Sequence, residues 1–182
     1  MIPITPTHKV LLVALVVLAA VYDIRFRRIP NWLCGAGIVL GLVLNGFLFE
    51  WPGLKQAALG LGMATLIYLP LHILRAMGAG DVKLMMAVGA LMGWKSWLVI
   101  FVITGILGGV VAVLLLLGKG LLGEKLANVV YIVKELVQLR APYQSRPEMD
   151  VRSPSAMRLP HGAVIALGAM GFLTMVMIFG QK

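Results

Sequence analysis

Two aspartates in this 182-residue chain stand where a carboxylate is costly. Asp81 lies in Gly78-Ala79-Gly80-Asp81-Val82-Lys83-Leu84, between two helix-breaking glycines and an apolar run. Asp23 closes the first apolar run and is followed by Ile24-Arg25-Phe26-Arg27-Arg28-Ile29-Pro30-Asn31. An ionised carboxylate near hydrocarbon needs a partner, a water-filled cavity or a proton. Two of them at one depth can meet although 58 positions separate them in the chain. Brought close, they do not both ionise readily; they share a proton and titrate as a pair. That is the condition for two-aspartate hydrolysis, in which one carboxylate takes a proton from water while the other donates to a carbonyl oxygen.

Each residue alone also has a plainer reading. Asp81, after a glycine at a helix start, fits an N-cap. Asp23 fits an ion pair with Arg25, Arg27 or Arg28 at the headgroups. Gly78 and Gly80 allow positive φ and close backbone approach. Irregular backbone at membrane depth is tolerated only where it lines protein or a wet cavity, so amides there could bind an extended peptide. Lys83, one turn into the next helix, could orient Asp81 or snorkel to lipid phosphate. His161, between Pro160 and Gly162, is a candidate for lining the site. No Ser/His/Asp order, P-loop, Rossmann glycine pattern or metal-ligand cluster is visible, so neither a metal nor another cofactor is expected. The single cysteine, Cys34, excludes an internal disulfide and any Cys-x-x-Cys knuckle.

These residues must be positioned by membrane helices. Hydrophobic residues make up 60% of the chain and charged ones 13%, about half the ~25% of soluble domains. Mean hydropathy is +0.97. The pattern predicts an all-α integral membrane protein, a single domain over 1–182. It has six transmembrane helices, over about 5–22, 32–49, 54–74, 82–93, 96–117 and 160–179. The fourth is only 12 residues. As a helix it would reach about 18 Å against ~30 Å of hydrocarbon, which places Asp81 in a recess below the surface. In the stretch 118–158, apolar residues from Leu122 to Val137 recur at helical spacing opposite Glu124, Lys125, Asn128 and Glu135. This reads as an amphipathic interfacial helix within a cytoplasmic loop before the last span.

Charge placement orients the chain. With six spans, one face carries 12 of the 16 Lys and Arg residues, Arg25, Arg27, Arg28, Arg75 and Lys83 among them. The other carries Lys9, Lys55, Lys95 and Lys182. The first face is therefore cytoplasmic, both termini are outside, and both aspartates face the cytoplasm. The formal charge of +9 then reflects topology and contact with anionic membrane lipid, not nucleic acid.

The order Asp23…Arg27-Arg28-Ile29-Pro30-Asn31, then Gly78-Ala79-Gly80-Asp81-Val82-Lys83-Leu84, resembles the type IV prepilin peptidases. Pro160-His161-Gly162 before an Ala/Gly-rich last span is similar to that family's Pro-x-Gly element. The Gly-x-Gly-Asp element also resembles archaeal preflagellin peptidases and, more distantly, presenilin-type proteases. The resemblance implies that Asp23 and Asp81 are catalytic. Gly78, Gly80, Lys83, Pro30, Asn31, Pro160, His161 and Gly162 would shape the site or bind substrate. It implies an aspartic endopeptidase of the bacterial inner membrane, acting on the cytoplasmic side. The substrate would be a prepilin or pseudopilin with a short basic leader, a glycine before the scissile bond and a hydrophobic helix after it. Bifunctional members also methylate the new N-terminus through a domain with paired Cys-x-x-Cys motifs. This chain has none, so it looks like a short, peptidase-only form similar to those serving Flp/tight-adherence pili, with the pilus secretion machinery as a further partner. The alternative from the residues is a non-catalytic membrane assembly factor or a proton-coupled transporter. Asn45, Thr65 and Thr104 are too few and too scattered for a polar path.

Overall fold

The computed structural model describes residues 3–73, 77–120, 123 and 161–179. Among these the chain is all-helical: α1 (Pro6–Phe26), α2 (Asn31–Ile73), α3 (Ala79–Gly118) and α4 (His161–Phe179). Of the described helices, α2, α3 and α4 are long and apolar enough to cross a membrane. The interfacial helix expected within 118–158 lies outside the described residues beyond Gly120, save position 123, and so do Arg75 and Pro160.

α1 starts where its sequence says it should. The Thr5 hydroxyl accepts from the His8 amide, and Pro6 sits at the first helical position, where no N–H is needed. Its far end differs from the expectation. The helix passes Tyr22 and stops only at Arg27, whose left-handed backbone (φ 53°) lets its N–H reach the Asp23 carbonyl at 2.9 Å. No glycine or proline interrupts 7–29, so nothing halts the helix at the apolar boundary. Asp23 is thus a helical residue of the last turn, not a loop residue.

α2 and α3 each consist of two arms joined at a one-residue break. In α2 the break is Glu50 (φ 53°, ψ −143°), with Pro52 in the first turn of the new arm. In α3 it is Gly93 (φ 70°, ψ 165°), a conformation close to glycine-only. Both breaks reverse the chain. Gly53 comes against the Asn45 carbonyl, although eight residues of straight helix would part them by about 12 Å. The Trp97 indole N–H donates to the Met85 carbonyl at 3.1 Å, across a separation that straight helix would stretch to about 18 Å. The apolar segments expected as separate spans are therefore helical over their described residues, with far tighter joins than the four-residue turn expected at 50–53.

The arms pack through small residues. Gly60 meets the Gly89 carbonyl, and a Cβ on Gly41 would stand 2.7 Å from the Ala90 carbonyl carbon. Backbones this close need glycine, the usual device between membrane helices. On the other side of α3, Gly168 of α4 lies against Thr104. The core is built from Leu12 and Val16 of α1, Leu33 and Tyr68 of α2, Leu84, Met85, Val88 and Trp97 of α3, and Ile165 and Phe172 of α4. Trp97 stacks on Phe101 with centroids 5.4 Å apart, and Tyr68 meets both rings edge-on at 6.3 and 5.7 Å.

A buried polar knot closes the end of the bundle that holds both breaks. Asn45 is 0% exposed. Its amide donates to the carbonyls of Gly41, Ala90 and Leu91 at 2.9 to 3.1 Å. Its Oδ1 accepts from His8 Nε2 at 3.1 Å, and His8 Nδ1 lies 2.7 Å from Thr5 Oγ1. The break at Gly93 interrupts the i+4 ladder beside Ala90 and Leu91, so Asn45 supplies donors where the helix does not. Asn45 is not the isolated polar residue that its sequence surroundings suggest. Lys9, Lys55 and Lys95 flank this end, while Asp23, Asp81 and the described arginines lie at the other.

Candidate active site

Four elements meet at the aspartate end. Asp23 comes from the last turn of α1 and is 9% exposed. The connection Arg27–Pro30 leads into α2 at Asn31. The first turn of α3 carries Gly80 and Asp81, and α4 begins alongside with His161 and Gly162. A cavity of about 480 Å³ lies between them, with Asp23 and Asp81 both in its wall. Gly78, Gly80, Pro30 and Asn31 line it. Arg27, Arg28, Ile29 and Ala79, which stand in the same two motifs, line it too.

Local geometry corrects two sequence readings. Asp81 is not a helix cap. Gly78 is the N-cap, without a side-chain cap bond, and Asp81 is the third helical residue. Nor do the glycines serve through positive φ: Gly78 has φ −69°, and Gly80 sits inside regular α3. Their value is closeness. A Cβ on Gly80 would stand 3.2 Å from Ile29 Cβ, and one on Gly78 would stand 3.2 Å from Asp81 Oδ2. The first turn of α3 can therefore press onto the connection after Asp23, with its carboxylate folded back over the cap.

Asp23 is held from α4. The Gly162 amide donates to Asp23 Oδ2 at 2.8 Å. Gly162 is also in tight contact, since a Cβ there would come 3.0 Å from Asp23 Cβ and 3.2 Å from Ile29 Cδ1. Ile29, buried between Gly80 and Gly162, is the pivot on which α3 and α4 meet the connection. Its position between Arg28 and Pro30 gave no chemical signal, because a packing residue has none.

Lys83 does not hold Asp81. Its ammonium donates to Asn31 Oδ1 at 2.9 Å, tying α3 to the start of α2 across 52 positions. The bond is exposed, so it is worth about 0.5–1.5 kcal/mol. Lys83→Met is expected to lower kcat/KM about 2- to 10-fold, with Lys83→Arg recovering part of the loss; steady-state kinetics on both variants check it. His161 lies next to Gly162, outside the cavity wall, yet near enough to feel the charge of Asp23. Asp81 feels that charge as well.

The surroundings of the two aspartates are unequal. Asp23 accepts an N–H bond from the first turn of α4. Asp81 sits in the first turn of α3. Among the described residues it has no hydrogen-bond partner.

A family model, the type IV leader peptidase family, matches residues 10–113, which include both aspartates. The chain belongs to the type IV leader peptidase family. No curated protein and no solved structure matches it. As a member of the leader peptidase family it is a hydrolase of peptide bonds, and the substrates of that family are prepilins. His161 and Gly162 fall beyond the matched segment, and the contact of Gly162 with Asp23 is what ties the start of α4 to this site.

Proposed function

We propose that this leader peptidase is a membrane aspartic endopeptidase. It removes the short basic leader of prepilin-like precursors, cutting after glycine at the cytoplasmic face, and leaves the new N-terminus unmethylated. One observation carries the reading: Asp23 and Asp81, on different helices and 58 positions apart, line one cavity. A cavity of about 480 Å³ admits a few residues of extended peptide. In it, Asp23 and Asp81 are the catalytic pair. Gly78 and Gly80 let the first turn of α3 press onto the connection, which sets Asp81 in the cavity wall. Pro30, Asn31 and Lys83 fix the connection, and Gly162 fixes Asp23.

The arms of α2 and α3, with α1 and α4, give six crossings. The aspartate end faces the cytoplasm because arginines cluster there and lysines flank the other end. The peptidase-only form rests on a single cysteine in this chain, which leaves no paired Cys-x-x-Cys. The interior polar groups favour a peptidase over a transporter. Asn45 is tied to carbonyls, and Thr65 donates to the Leu61 carbonyl at 2.8 Å. Neither leads toward the aspartates.

The test is cleavage of a purified model prepilin by the full chain in detergent micelles, with the product masses read directly. The expected products are a leader ending in glycine and an unmethylated mature chain. Cleavage elsewhere, or none, sinks the assignment. Activity is expected to follow a bell-shaped pH profile, because the working pair holds one proton between two carboxylates. A chelator is expected to leave the rate unchanged, and a loss that added divalent metal restores would argue for a different mechanism.

A further inference from the structure

We propose that the two aspartates divide the work in a fixed way: Asp23 takes the proton of the attacking water, and Asp81 carries the proton that goes to the scissile carbonyl oxygen. This rests on the aspartic peptidase reading above and adds to it the direction of proton flow. The asymmetry lies in the contacts. Gly162 N–H points at Asp23 Oδ2 from 2.8 Å, and this donor is backbone, so it cannot rotate away. It also sits in the first turn of α4, where peptide dipoles favour negative charge. Asp81 has no such donor among the described residues, and the ammonium of Lys83, two residues on, is bonded to Asn31 instead. A hydrogen bond to the charged form outweighs a helix dipole alone. The shared proton therefore rests on Asp81.

The other charged groups around the pair do not reverse this. His161, beside Gly162 on α4, lies near enough to Asp23 to feel its charge. Arg27 and Arg28, on the connection, line the cavity on the Asp23 side of the chain. Asp81, on α3, is the like charge that Asp23 would have to tolerate if both were ionised.

The step balances. Asp23 accepts a water proton while the water oxygen bonds to the carbonyl carbon. The π pair of the carbonyl moves to its oxygen, which takes the proton of Asp81. The resulting gem-diol collapses: the C–N bond breaks, the nitrogen takes the proton now on Asp23, and one hydroxyl returns its proton to Asp81. Both carboxyl groups end as they began, ready for another water.

The experiment has two arms on the full chain in detergent micelles. In the first, the infrared band of a protonated carboxyl is followed at the pH of maximal activity. The band is expected in the wild type and lost in Asp81→Asn; persistence in Asp81→Asn would place the proton on Asp23 and overturn the proposal. In the second, Gly162→Ala pushes a Cβ between the amide and Asp23. Its kcat is expected to fall about 10-fold with KM within about twofold, and the acidic limb of the kcat profile is expected to move to higher pH. An unmoved acidic limb in folded Gly162→Ala protein would also overturn it. The infrared arm needs no turnover. If Asp23→Ala and Asp81→Ala both still cleave, the peptidase reading itself has failed; if both are dead and the band survives in Asp81→Asn, only the division of roles has.

Discussion

Replacing either aspartate by alanine is expected to abolish prepilin cleavage, with a loss of at least about 10³-fold, while the protein still inserts and folds. The reason is chemical. On the proposed mechanism Asp23 takes a proton from water and Asp81 gives one to the carbonyl oxygen, and among the described residues no other carboxyl lines the cavity. General acid–base groups are each worth about 10²–10⁴-fold, and two that act as one unit fail together. The double variant is therefore expected to be no worse than either single one. Neither carboxylate is central to packing: Asp81 is half-buried at a helix start, and Asp23 offers a single bond to α4. Normal membrane yield together with absent product, read by product mass, supports the dyad. Residual cleavage above about a hundredth of wild type in either variant would remove it.

The second large effect is expected far from the chemistry. Asn45→Leu is expected to destabilise the fold by about 2–4 kcal/mol, read as a lowered melting temperature in detergent micelles. Leucine repeats the branched outline of asparagine, though larger, but donates nothing to the Ala90 and Leu91 carbonyls beside the Gly93 break, and accepts nothing from His8. Each buried group left unpaired costs about 1–3 kcal/mol. The knot also sets where the α3 arms turn. Its loss is expected to reach the active site indirectly, through the depth at which α3 presents Asp81. An unchanged melting temperature would show that water or a shifted backbone takes over these bonds.

The path from knot to site is short in structural terms. The first arm of α3 runs from Asp81 to the break at Gly93 and is gripped by glycine on two sides. Gly41 meets it at Ala90 and Leu91, and Gly60 meets it at Gly89. An arm held this closely behaves as a rigid rod, because packed interiors do not deform smoothly. Fixing its end at Gly93 therefore fixes the position of its end at Asp81.

Much of this was legible in the residues themselves. Apolar runs of membrane length require helices, because hydrocarbon offers backbone groups no other partners. The asymmetry of Lys and Arg marks one end of the bundle. Asp23 and Asp81 stand out because charge beside hydrocarbon is too costly to be incidental, and Pro30 and Gly78 mark where the next helices begin. The same local rules misplaced the end of α1 by a few residues and took Asp81 for a possible cap, since a helix end depends on what the next segment packs against.

What the sequence could not decide was everything that depends on contact between distant segments. Gly162 reaches Asp23 across 139 positions and Lys83 reaches Asn31 across 52, and no local pattern encodes either bond. Ile29 carries no chemistry until Gly80 and Gly162 close on it. Asn45 looks like a stray polar residue until the Gly93 break leaves carbonyls for it to serve. Composition and spacing determined that the chain is helical, membrane-bound and equipped with two exceptional carboxylates. Only the tertiary structure decided that the carboxylates share a cavity and that, among the described residues, one has a backbone donor the other lacks. Hydrophobic patterning fixes which residues leave water, while hydrogen bonds between segments depend on where each helix finally lies.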